Sequence, residues 1–154
     1  FEYHLFPLPY HQQAFILTKA AATVDTFGDS ADSIFTFMDT VFENQASTYN
    51  SATVDMTYNQ VVAMVQPWAL NGTGVTAEEY AIGMDQKTPE GGAIESFTRY
   101  MWKYATLNEI FGTPLYMING LKVMGLETFE QWQATLDPLL LSQKEKEMKK
   151  RFQK

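Results

Sequence analysis

Phe111-Gly112-Thr113-Pro114-Leu115-Tyr116-Met117-Ile118-Asn119-Gly120-Leu121-Lys122-Val123 reads as two short strands, Leu115–Ile118 and Leu121–Val123, joined by Asn119-Gly120. Both residues of an Asn-Gly pair tolerate the positive φ that a type I′ turn demands, which makes this dipeptide a strong hairpin signal. Upstream the pattern is helical. Ala14, Leu17, Ala21 and Val24 recur at three- and four-residue spacing and predict a helix from about His11 to Phe27, stopped by Gly28. Asp32 or Ser33 can cap a second helix carrying Ile34, Phe35, Met38, Val41 and Phe42. The polar stretch from Asn44 to Asp55 reads as a loop.

Thr57 with Gln60 and Thr76 with Glu79 have the spacing of capping boxes and open two further helices. Pro89, Gly91 and Gly92 predict a break, after which Ile94, Phe97, Met101, Tyr104 and Leu107 keep helical spacing from about Ala93 to Asn108. Beyond the hairpin, Thr128 with Gln131 opens a last helix bearing Phe129, Trp132, Leu136, Leu139 and Leu140. At the other end, Phe1, Tyr3 and Leu5 alternate with Glu2 and His4, predicting a strand that Pro7 and Pro9 terminate by Leu8. The expected order is strand, five helices, hairpin, helix.

Composition excludes much chemistry. With 154 residues, 45% of them apolar and 19% charged, the chain can fill the core of one compact domain. It has no cysteine, so disulfides, thiolate metal sites and dithiol chemistry cannot come from these residues. There are two histidines, His4 and His11, and neither has a ligand or triad partner at motif spacing. No metal or cofactor is expected. Glycine-rich nucleotide fingerprints are absent, and the acids Glu78-Glu79 suit a helix N-terminus.

No apolar run approaches the ~20 residues of a membrane span, and the first residues lack the basic start and apolar centre of a signal peptide. Residues 1–143 hold 5 basic and 16 acidic side chains, whereas residues 144–154 hold 6 and 2. The acidic body argues against nucleic acid as a partner. The basic tail is expected to be a solvated helix end, leaving 1–143 as a single domain. Eight methionines and abundant aromatics read first as core filler.

Three segments resemble the DsbA-like branch of the thioredoxin fold. They are Phe6-Pro7-Leu8-Pro9-Tyr10-His11, Phe111-Gly112-Thr113-Pro114 with its Asn-Gly hairpin, and Phe129, Trp132 and Asp137-Pro138-Leu139-Leu140. The resemblance implies an α/β fold, a thioredoxin-like core interrupted by a DsbA-type helical insertion at about 11–108. It implies a cis bond before Pro114 and makes Gly112, Thr113 and Pro114 a candidate loop for binding extended polypeptide. The family's strand and Cys-x-x-Cys helix have no counterpart here.

That absence leaves three expectations. The polypeptide extends before Phe1, another chain or a symmetry mate supplies the central strand, or the remaining strands re-pair. The function expected is a redox-inactive protein-binding or assembly module. The alternatives are a thiol–disulfide oxidoreductase whose dithiol lies upstream or on another chain, and a structural, storage or ligand-carrying protein on the same scaffold. Asn71-Gly72-Thr73 is an N-glycosylation sequon. With the secretory habit of many DsbA-like proteins, it suggests the secretory pathway or an extracellular site, an organellar lumen or matrix being the alternative.

Overall fold

A computed structural model of the chain describes residues 2–152, with side chains described through residue 140. The elements are α1 (Ala14–Phe27), α2 (Ser33–Glu43), a 3₁₀ turn (Gln45–Thr48), α3 (Tyr58–Leu70), α4 (Ala77–Met84), α5 (Pro89–Leu107), β1 (Tyr116–Ile118), β2 (Leu121–Val123) and α6 (Phe129–Phe152). They fall into two compact units, Phe1–Thr113 and Pro114–Lys154.

The first unit is all helical, and α1 is its hub, packing against α2, α3, α4 and α5. Sequence explains the position. Ala20, Ala21 and Ala22 are small enough for neighbouring helices to come close, and residues 18–24 are buried without a break. A helix buried on every side must be interior rather than a surface helix with one apolar stripe. With Val24 of α1, Ile34, Phe37, Val61, Val65 and Tyr80 form the core. At the α1–α4 crossing, a Cβ on Gly83 would lie 2.4 Å from Thr23 Cγ2, so glycine sets the separation there.

Both predicted capping boxes of this unit form. The Thr57 hydroxyl accepts from Gln60 N while the Gln60 side chain accepts from Thr57 N at 2.8 Å, and Thr76 and Glu79 repeat the exchange. The predicted break at Pro89–Gly92 is corrected. Those residues are the first turn of α5, because Thr88 accepts from Gly91 N at 3.0 Å and proline is tolerated at the first helical position. Gly91 marks a close approach, since a Cβ there would meet Asp85 O at 2.1 Å.

Smaller corrections have similar local causes. Helix α1 starts at Ala14, with His11–Gln13 forming a turn. Asp32 occupies the α2 cap position without capping, and Ser33 instead donates to Asp29 Oδ1 and to Thr73 O. The expected loop from Asn44 contains the 3₁₀ turn, where Ser47 and Thr48 hydroxyls donate back to the carbonyls of Asn44 and Gln45.

The predicted N-terminal strand is the main correction. Phe1 lies outside the described residues, and Glu2–Leu8 joins no ladder, for among the described residues the unit holds no strand to pair with. Its alternation is used differently. Tyr3 and Leu5 pack on the helical core, with Tyr3 edge-on to Phe35 and its hydroxyl donating to Asp25 at 3.2 Å.

The second unit holds the antiparallel hairpin and α6. Register pairs Ile118 with Leu121, Met117 with Lys122 and Tyr116 with Val123. Asn119 and Gly120 both have positive φ, 51° and 82°, as a type I′ turn requires. Thr128 and Gln131 form the expected reciprocal cap of α6, and Trp132 meets Tyr116 edge-to-face at 4.6 Å. Among the described residues the architecture is thus mostly helical with one two-stranded sheet.

Candidate functional site

The hairpin presents the first candidate. In a two-residue hairpin the closing pair exchanges hydrogen bonds, so the next pair, Met117–Lys122, turns its backbone groups outward. The outer edge of β1 therefore offers the N–H and C=O of Met117, with no ladder partner among the described residues. The same unit exposes several large apolar side chains. Met117, Leu121, Met124 and Phe129 are exposed, the last three by more than 70%. Thr113 and Pro114 are exposed ahead of β1, and a Cβ on Gly112 would touch nothing within 4 Å.

The second candidate has no sequence motif. Lys19 projects from the middle of α1 and is 1% exposed. Its Nζ donates to Met84 O at 3.1 Å and pairs with Glu95 Oε2 at 3.0 Å. Arg99, one turn along α5, donates from Nε and Nη2 to the other Glu95 oxygen at 3.0 and 2.7 Å. Burial by itself would raise the Glu95 carboxyl, but the hydrogen bonds and charges of Lys19 and Arg99 outweigh it and hold it below the usual range. Close by, burial and then the Glu95 charge push the Tyr58 hydroxyl up.

This triad lines a cleft of about 670 Å³ in the helical unit, with Phe15, Tyr58 and Lys87 also on its walls. A second cleft of about 380 Å³ shares Phe15 and Arg99 with it and is walled by Pro7, Leu8, Pro9 and Trp102, with His11 and Lys103. Sequence reading missed the triad. Its signal was a lone lysine inside an apolar run, which no charged group at helical spacing on α1 could neutralise.

The remaining sequence candidates are scattered. His4 stacks on Tyr104 at 4.8 Å and contacts Glu2, while His11 sits in the turn before α1. Glu79 is tied up in its capping box, and its hydrogen bonds from Thr76 lower its carboxyl. Asn71 is exposed at the end of α3, and Thr73 of the same triplet is fully buried. No group of three or more His, Asp or Glu among the described residues is placed to hold a metal ion. No described helix is long and apolar enough to cross a membrane.

No protein-family model matches the chain, and no curated protein sequence matches it. Among solved structures it is similar to a crystal structure named as that of a "putative protein-disulfide isomerase" from Pseudomonas syringae. The TM-score is 0.69 and the identity 22%, over 86% of this chain and 72% of that one. At that identity the likeness is one of fold, and this chain contains no cysteine.

Proposed function

We propose that the chain is a redox-inactive polypeptide-binding module on a DsbA-like scaffold, and that it takes an extended segment of another polypeptide along the outer edge of β1. The observation that carries this is the one-sided hairpin. A two-stranded hairpin is marginal in water; here Trp132 of α6 packs on Tyr116, and a third strand along the free edge would add further pairing. The outward amide and carbonyl of Met117 provide backbone pairing, and the exposed Met117 side chain provides apolar area at that edge. Pro114 and Leu115 lead into this edge within the same unit and would meet the guest's continuation.

The test uses a reduced, S-carboxymethylated unfolded protein as the guest, with binding read by fluorescence anisotropy. Met117→Pro removes an N–H that faces away from β2, a place where an edge strand tolerates proline. Met117→Lys instead charges the edge and keeps the N–H. Both should weaken binding at least tenfold with unchanged circular dichroism. Binding equal to wild type in Met117→Lys, or in a folded Met117→Pro, would overturn the proposal.

The fold likeness favours a second reading, a thiol–disulfide oxidoreductase whose Cys-x-x-Cys comes from an upstream segment or another chain. Thiol–disulfide exchange needs an attacking thiolate. The 154 residues alone should therefore leave insulin reduction at the buffer rate, and a Cys-x-x-Cys after an apolar strand in the transcript upstream of Phe1 would favour the enzyme. We place the protein in the secretory pathway on its resemblance and its sequon. Endoglycosidase treatment of protein from its native source should raise its mobility, and Asn71→Gln should abolish that shift.

A further inference from the structure

Residues 1–113 carry 4 lysines and arginines against 13 acidic side chains. All four bases, Lys19, Lys87, Arg99 and Lys103, line the two clefts that share Phe15 and Arg99, and of the acids only Asp85 and Glu95 do. The smaller cleft carries Arg99 and Lys103 with no acidic side chain on its walls. A cleft lined by one sign of charge with low-dielectric walls concentrates counter-ions of the opposite sign.

The groups are also prepared for a ligand. Arg99 is held by Glu95 and lies 5.6 Å over the Phe15 ring. Its bonds to Glu95 use two of the five guanidinium N–H donors, and its side chain remains 62% exposed. Lys103 Nζ lies over the Tyr100 ring, 5.5 Å from its centroid. The smaller cleft, which both cations line, is walled by Trp102, Leu8 and two prolines, which suit a flat apolar body. Glu95 is neutralised by Lys19 and Arg99, so it does not oppose an incoming anion as a free carboxylate would. Apolar walls around a few placed polar groups, in volumes of about 300–1,000 Å³, are the usual character of small-molecule sites.

We infer that the Phe15–Arg99 cleft of the helical unit is a binding site for a small organic anion, with its carboxylate or phosphate on Arg99 and Lys103 and an aromatic or other flat apolar body against Trp102 and Leu8. This goes beyond polypeptide binding at the hairpin and shares no residue with it.

The experiment titrates the full chain with 2-naphthoate and with 1-naphthyl phosphate, and uses 2-naphthamide as the neutral counterpart. Calorimetry reads the binding, and the Trp102 indole N–H signal in nitrogen-edited NMR spectra reads its place. Saturable binding of at least one anion should move the Trp102 signal, exceed that of the amide at least tenfold, and weaken with added salt. Arg99→Gln and, separately, Lys103→Gln should each weaken it about tenfold or more. Lys103 is exposed and makes no ion pair with Glu95, so its variant tests the site without disturbing the buried pair. Three results would overturn the inference: no saturable binding of either anion, equal binding of the amide, or Lys103→Gln binding like wild type. Met117→Lys should leave all of these readings unchanged, so this site and the hairpin stand or fall separately.

Discussion

Replacing Gly83 by alanine sets helix propensity against packing. Alanine in a helix interior gains about 0.8–1.0 kcal/mol over glycine, and less near a helix end, where Gly83 lies. Against that, the new methyl would stand 2.4 Å from Thr23 Cγ2 and 2.6 Å from Thr23 Oγ1. Carbon atoms are at rest about 3.5–4.0 Å apart, so the overlap exceeds about 1 Å. Thr23 cannot simply turn away. It is fully buried, and its hydroxyl donates to Lys19 O at 2.9 Å. Either that bond is lost or α1 and α4 separate, and overpacking of this kind costs typically about 1–3 kcal/mol.

Packing should win, leaving Gly83→Ala less stable by about 1–2 kcal/mol. Urea unfolding followed by circular dichroism measures this as a lower midpoint at unchanged slope. Adding Thr23→Ala removes both clashing atoms and leaves Thr23 Cβ, at 3.0 Å, as the nearest contact. The double variant should then be more stable than the sum of the single changes allows, by about 1 kcal/mol. A midpoint for Gly83→Ala at or above wild type would refute the reasoning, as would strictly additive effects.

Gly91→Ala should cost more than Gly83→Ala in the same assay, because its methyl would meet the backbone oxygens of Asp85 and Ile82 at 2.1 and 2.4 Å instead of a side chain. Thr76→Ala removes a reciprocal cap of α4 and should lower stability by about 1 kcal/mol, with Thr76→Ser losing much less. The Glu95 carboxyl is held below its ordinary range in the folded protein, so its contribution is complete above the unfolded value of about 4.3 and disappears as pH falls through the lower folded value. Glu95→Gln should thus start less stable at neutral pH and lose less on acidification. Parallel stability curves for the two proteins between neutral pH and pH ~3 would count against the ion pair.

What could be read from the sequence was local. The hairpin turn and three capping boxes are each decided within a few residues, and they form as read, whereas Phe35 and Phe42, at core spacing in the sequence, are exposed on α2. The errors arise where a distant contact decides. Pro89 and Gly91 look like punctuation until Thr88 caps them and Asp85 leaves no room for a side chain. Tyr3 and Leu5 alternate as a strand does, but their alternation fits the surface of a helical core. Lys19 carried no motif because its partners, Met84 and Glu95, are 65 and 76 positions away.

The Asn71-Gly72-Thr73 triplet sets modification and folding against each other in time. In the folded chain the Thr73 hydroxyl donates to Ala69 O and accepts from Val75 N, while its carbonyl accepts from Ser33 Oγ and Asp29 N. The threonine that makes this triplet an acceptor is therefore locked inside the fold. A glycosylating enzyme that needs that hydroxyl must arrive before the turn closes. Sugar on Asn71 would be a clock mark, recording that the chain was still open when the enzyme met it. Slower closure should raise the modified fraction, and a sequence change that speeds closure should lower it with Asn71 itself untouched.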